Sequence, residues 1–329
     1  MFNRNRNVIR IVGVALAFSA VAAGCSKDSK STTAETAAAA TTAAGAATTA
    51  PGAADTTAAA VAAGGAQSAA TFDKALFALL PADMQKSGVM KLATDPTDPP
   101  LEFYNDKTEL VGAEVDLAKA LGDMLGVKVE MIPSKFDAII PGVEAGRFDG
   151  SLSGFADRVE RQKIVDFVDF FTSSRGYLIK SGTNPDLVDA TDLCGKKVAV
   201  AKGTTMADTI VKLGTDCVAA GKKTVDGQIY PDQSACVLAV QSGRADLTIL
   251  SDHAALAISQ GSAGALDVIL RPTEGNDING IVLKKGAFVE PVQKAIQKMM
   301  DDGSLLKIFT KWNLQKLMLT KATVNAGTN

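Results

Sequence analysis

The chain has 329 residues, with 34 Lys plus Arg against 36 Asp plus Glu and a single histidine. Chains much longer than about 250 residues outgrow one hydrophobic core, so one large or two modest domains are expected. The mildly acidic balance lacks the basic footprint of a nucleic-acid partner, and His253 as the lone histidine excludes a multi-histidine metal site and confines any histidine-based triad to that residue.

Residues 1–10 carry Arg4, Arg6 and Arg10 and no acid, and residues 11–24 form an apolar run too short to span a bilayer comfortably, which is the pattern of a signal peptide. Ala22-Ala-Gly-Cys25 places small residues directly before a cysteine and resembles a bacterial lipobox, which implies lipidation of Cys25 after cleavage. Residues 25–71 are rich in alanine, threonine and glycine and offer no apolar stripe to bury, so they read as a linker between the anchor and a folded body.

From Gly88 onward, strand and helix patterns alternate. Residues 89–94, 127–132, 148–153, 197–201 and 245–250 read as strands. Residues 112–125, 136–144, 205–213, 233–241 and 252–259 read as helices. This alternation predicts an α/β fold with largely parallel sheets. Val143-Glu-Ala-Gly-Arg-Phe-Asp149 is echoed by Val240-Gln-Ser-Gly-Arg-Ala-Asp246, each a helix end, a glycine and a strand start. One such unit in each half suggests two lobes of similar construction. Ligands of open α/β sheets gather beyond the carboxyl ends of strands, which places Ser153 and Gly154 in one half and Ser251 and Asp252 in the other on a common cleft.

The residues around those strand ends suggest a zwitterion. Gly203 permits close approach of a ligand, and Thr204 and Thr205 open a helix whose free N–H groups favour an anion. Arg161, with Arg158 as competitor, can clamp a carboxylate through two parallel hydrogen bonds. Asp95 and Asp98 follow the first strand in a loop stiffened by prolines, and Asp252 can accept an ammonium group. No nucleophile motif accompanies His253, so no catalytic residue is assigned. In an exported protein Cys194 and Cys217 can pair as a disulfide, while Cys236, in an apolar run, reads as a buried free thiol.

Thr94-Asp-Pro-Thr-Asp-Pro-Pro, Val111-Gly-Ala-Glu-Val-Asp-Leu-Ala-Lys-Ala, Phe136-Asp-Ala-Ile-Ile-Pro, Glu160-Arg-Gln-Lys-Ile-Val-Asp-Phe, Asp192-Leu-Cys-Gly-Lys-Lys-Val-Ala-Val, Gly203-Thr-Thr and Lys311-Trp-Asn, in this order over residues 88–314, resemble the polar amino-acid solute-binding proteins of ABC importers. The resemblance implies a two-lobed periplasmic-binding-protein fold, with residues 72–180 and 279–318 in the first lobe and 183–275 in the second. The hinge would lie near residues 177–182 and 276–282. It implies an extracytoplasmic, membrane-anchored monomer that closes on an amino acid and delivers it to a permease without a cofactor. The site residues it implies are Phe136, Ser153, Gly154, Ala156, Arg161, Lys202, Thr204 and Thr205, with the ammonium acceptor at Ser251 or Asp252, the latter chosen for its charge. Asp98 stands where the family usually carries an aromatic, which leaves three readings open: a ligand whose cationic side chain sits between Asp95 and Asp98, a ligand that is not an amino acid, or a degenerate site. The competing expectations are an exported enzyme resembling cyclohexadienyl dehydratases and a sensory module presenting its ligand to a membrane receptor.

Overall fold

The computed structural model describes residues 70–183 and 187–328. The predicted signal peptide, the predicted lipidation site Cys25 and all but the last two residues of the linker lie outside the described residues.

Residues 74–173 build most of the first lobe: α1 Lys74–Phe77, α2 Ala82–Ser87, β1 Val89–Thr94, β2 Thr97–Asp98, β3 Glu102–Tyr104, β4 Leu110–Val111, α3 Ala113–Leu125, β5 Lys128–Pro133, α4 Phe136–Glu144, β6 Gly150–Ser151, α5 Val159–Gln162 and β7 Val165–Ser173. The second lobe holds β8 Arg175–Lys180, β9 Lys197–Ala201, α6 Thr205–Ala219, β10 Asp226–Tyr230, α7 Gln233–Gln241, β11 Leu247–Ser251, α8 Asp252–Gly261 and β12 Leu266–Arg271. The chain then returns to the first lobe through β13 Asp277–Lys284, α9 Val289–Asp301, α10 Ser304–Lys311 and β14 Met318–Val324.

The sheets correct two expectations. They are mixed rather than largely parallel: the first runs β14-β7-β13-β6-β1-β5 and the second β10-β9-β11-β8-β12. In the first, β1 is parallel to β5 and β6, whereas β13 is antiparallel to β6 and β7. In the second, β9 is parallel to β10 and β11, whereas β8 is antiparallel to β11 and β12. The crossings explain this. A strand leaving a lobe ends at the cleft and one entering starts there, so each sheet must hold both directions. The lobe change also falls earlier than expected. Residues 175–180 belong to the second sheet, only Ser174 separates β7 from β8, and the return lies between Arg271 and Asp277. The first lobe continues past residue 318 as β14, and the tail packs on it: Gly327 N donates to Asp157 at 2.7 Å and Ala326 N to Asp169 at 3.1 Å.

The seven-residue echo has a physical basis. Gly146 and Gly243 turn the chain left-handedly after α4 and α7, with φ of 73° and 71°, a conformation that glycine adopts without steric cost. The aspartate that follows each then pins the neighbouring parallel strand. Asp149 accepts from Lys91 N at 2.7 Å and Asp246 from Lys197 N at 2.8 Å. Both returns bring β6 and β11 to the cleft in matching positions.

Each lobe has its own core. Met90, Leu92, Leu117, Leu121, Phe170, Phe309 and Met299 are fully buried in the first, where α3, α9 and α10 cover one sheet face. Val198, Val200, Leu247 and Leu193 are buried on one side of the second sheet and Cys236, Ala239 and Ala254 on the other. Cys194 and Cys217 are joined by a disulfide, and Cys236 is a buried free thiol, its pKa pushed up to about 12 by burial.

Candidate functional site

The cleft lies where β6, β7 and β13 of the first lobe meet β9, β11 and the start of α6 in the second. The lobes close there on a small cavity of about 40 Å³. Of the expected residues, Asp98, Phe136, Gly154, Ala156, Arg161, Thr204 and Thr205 line it. Asp95 and Ser153 line a smaller side chamber that shares Asp98, Phe136 and Thr204 with the main cavity.

Arg161 sits at the end of α5 with its guanidinium carbon 5.8 Å and 5.2 Å from the Phe136 and Phe155 ring centroids. The two rings stack at 4.2 Å and fix the floor under it. Arg161 Nη1 donates to Ala156 O at 2.8 Å in its own lobe, and Nη2 donates to Gly203 O at 3.0 Å across the cleft. Burial draws its pKa down to about 10, which leaves it charged at neutral pH. Gly203 has φ of 80°, and a Cβ there would stand 3.0 Å from that of Asp137. The glycine therefore permits both the turn and the close approach of the lobes. Thr204 caps α6, accepting from Ala207 N at 3.3 Å.

The opposite end of the site is acidic. Phe136 N donates to Asp95 at 3.1 Å, and Asp95 N donates to Ser153 Oγ at 2.8 Å. Ser153 Oγ in turn donates to Glu102 at 3.0 Å. Burial raises Asp95 to about 6, burial together with Glu114 and Asp98 holds Glu102 well above the carboxylate range, and burial lifts Glu114 to about 7. Asp98 is buried against Gly154, where any Cβ would meet its Oδ2 at 2.7 Å.

Three expected residues line neither chamber: Lys202, Asp252 and Gly203, whose carbonyl receives Arg161. Lys202 points outward and pairs with Asp137 at 2.7 Å, bridging the lobes at the rim. Asp252 turns away: it accepts from Ser174 Oγ at 2.7 Å and lies 3.4 Å from His253 Nδ1, while Ser251 faces the cavity in its place. The strand end therefore offers a hydroxyl where a carboxylate was expected.

His253 is more than the start of a helix. It is buried between Asp252 of its own lobe and Asp98 of the other, whose Oδ1 lies 3.7 Å from Nε2. Burial alone would lower its pKa, but the two carboxylates raise it to about 9, and burial notwithstanding, His253 and Ser174 draw Asp252 down to about 2. The raised histidine fixes the sign of a pH dependence. Its contribution to stability is fully present below its ordinary value of 6.5 and is lost as pH rises through about 9. The melting-temperature difference between wild type and His253→Gln is expected to shrink over that interval, and a pH-independent difference would contradict the contact.

Polar residues not singled out from the sequence also line the wall: Ser173, Arg175, Gln233, Asp277 and Asn279. Arg158 and Arg175 both pair with Asp277, Arg175 Nη1 at 2.7 Å from Oδ2. Asn279 Nδ2 donates to Ser173 Oγ at 3.0 Å. The legible signal was Arg175, a charge set between Ser174 and the apolar run Tyr177-Leu-Ile.

Residues 90–315 match the profile of bacterial extracellular solute-binding proteins, family 3. The chain belongs to that family. This member is 26% identical over 251 residues to the arginine-binding protein ArgT of Corynebacterium glutamicum, covering 75% of this chain and 82% of that one. It is 28% identical over 232 residues to the L-cystine-binding protein TcyJ of Escherichia coli K12, covering 70% and 84%. Among solved structures, an ancestral arginine-binding protein bound to arginine aligns with a TM-score of 0.63 and 34% identity, over 68% of this chain and 98% of that one. The two-lobed architecture of this family member follows from the sheets described above and from these neighbours.

Proposed function

We propose that this solute-binding protein captures an amino acid with a cationic side chain by lobe closure and presents it to an ABC importer permease. The observation that carries the reading is the polarity of one cavity: a guanidinium from the first lobe and a helix N-terminus from the second converge at one end, and buried carboxylates line the other. Arg161, Thr204 and Thr205 take the carboxylate. The side chain extends along Phe136 toward Asp98 and Asp95, and a cation there supplies the counter-charge that the desolvated Asp95 lacks. The ammonium group is left to acceptors at Gly154, Ser173 and Ser251. Relatives named for arginine, cystine and histidine binding support an amino-acid ligand. Cys25 is proposed as the lipidated N-terminus of a monomer tethered outside the cell.

A thermal-shift screen of the common amino acids followed by calorimetry tests this. Arginine or lysine is expected to bind more tightly than glutamate; glutamate binding more tightly than both would overturn the assignment of the acidic end. A second reading has one observation in its favour: the chain is 29% identical, over 70% of its length and with a TM-score of 0.60, to an ancestral amino-acid-binding protein described as a precursor of cyclohexadienyl dehydratase. Product formation from prephenate or arogenate would favour that reading, and none is expected.

A further inference from the structure

We infer that Arg175 is a second carboxylate-binding group of the cleft, so that the ligand's carboxylate is held jointly by Arg161 and by a guanidinium rooted in the hinge. The inference rests on the amino-acid reading above and adds a specificity residue to it.

Charge balance is the first argument. Arg158 and Arg175 share the single carboxylate of Asp277, which is itself buried. One guanidinium neutralises one carboxylate, so this trio keeps one positive charge. Arg161 adds another, because its hydrogen bonds go to carbonyl oxygens and not to an acid. Arg175 is 5% exposed and lines the cavity. A buried charge without a counter-ion is costly, and an incoming anion relieves the cost.

Hydrogen bonding is the second. Arg175 Nη2 donates to Thr205 Oγ1 at 3.1 Å, on the same 203–205 turn whose Gly203 carbonyl receives Arg161. Nη1 lies close to Asp277 but directs no hydrogen bond at it or at any other protein atom. The two arginines thus reach the mouth of α6 from different sides, and the carboxylate that serves Arg175 is shared with Arg158. The guanidinium is also held in place: a Cβ at Gly275 would stand 3.0 Å from its Cζ. Because Arg175 opens β8 directly after the crossing at Ser174, a carboxylate bound there also loads the segment that must bend on closure.

The test compares L-arginine with L-argininamide, which lacks the carboxylate, and repeats the comparison with L-lysine and L-lysinamide. Arg175→Met leaves Asp277 paired with Arg158, so the fold is expected to survive, as checked by its melting temperature. Its affinity for the acids should fall about tenfold or more, as for a lost charge-assisted hydrogen bond, with the amides changed by less than about twofold. Combined with Arg161→Lys, the loss should be smaller than the product of the single losses, as for two groups on one anion. If Arg175→Met does not fold, Arg175→Lys carries the same comparison, with a smaller loss that is still confined to the acids. Equal losses for acid and amide, or an unchanged affinity for the acids, would overturn the Arg175 assignment and leave the amino-acid reading standing. A wild-type protein that binds no amino acid would overturn both.

Discussion

Arg161→Ala is expected to weaken amino-acid binding about a hundredfold or more while leaving the melting temperature of the ligand-free protein nearly unchanged. The two effects separate because of what Arg161 touches. Its protein partners are two backbone carbonyls at the cleft rim and the faces of two aromatic rings, so truncation leaves no buried charge unpaired. The ligand's carboxylate, by contrast, would lose the bidentate partner proposed for it in a site screened from water, where such pairs are strongest. The bond to Gly203 O also crosses between the lobes, so closure loses one of its fastenings at the same time. Arg161→Lys, which keeps the charge without the planar fork, should fall between the two. Calorimetry on both variants checks this, and near-wild-type affinity in a folded Arg161→Ala protein would place the clamp elsewhere.

The second large effect concerns stability. Replacing Cys194 and Cys217 together by serine is expected to cost about 3 kcal/mol, from the entropy of the unfolded chain that the crosslink removes over its separation of 23 residues. For a body of this size that is a fall in melting temperature of about 6–12 °C. Cys217 is buried beside Ile210, Leu213 and Val225, so the added hydroxyl works in the same direction. Neither cysteine lines the cavity, and ligand affinity at 25 °C is expected to stay within about threefold. A thermal scan of the double variant checks the first figure; a drop below about 2 °C would show that the second lobe does not depend on the crosslink.

Local structure was legible wherever punctuation and periodicity agreed. The predicted boundaries of α4, β9 and α7 coincide with those observed, since a glycine or a polar turn closes each of these elements. The echo was legible too, because Gly146 and Gly243 solve one backbone problem and Asp149 and Asp246 one strand-pinning problem in both lobes. Long-range pairing was not. That residues 175–180 pair with β11 and β12 and not with the first sheet follows from a crossing only one residue long, which no periodicity records.

The site divides in the same way. Arg161, Thr204 and Thr205 line the cavity, and residue type and position had singled them out. Asp252 was chosen over Ser251 for its charge, but that charge is already committed to His253 and Ser174. One step of register along β11 decides which side chain faces the cleft. The trio of Arg158, Arg175 and Asp277 joins segments far apart in the chain, and a sequence does not show which charges share a partner. His253 belongs to the same class, since its contact with Asp98 exists only when the lobes meet.

The proposed grip of one carboxylate between the lobes is open to direct test by diffraction from crystals grown with L-arginine. The ligand's carboxylate should lie between the Arg161 guanidinium and the first N–H groups of α6, with its side chain directed toward Asp98 and Asp95. A ligand bound outside this cleft, or bound in it with its carboxylate turned to the acidic end, would contradict the account.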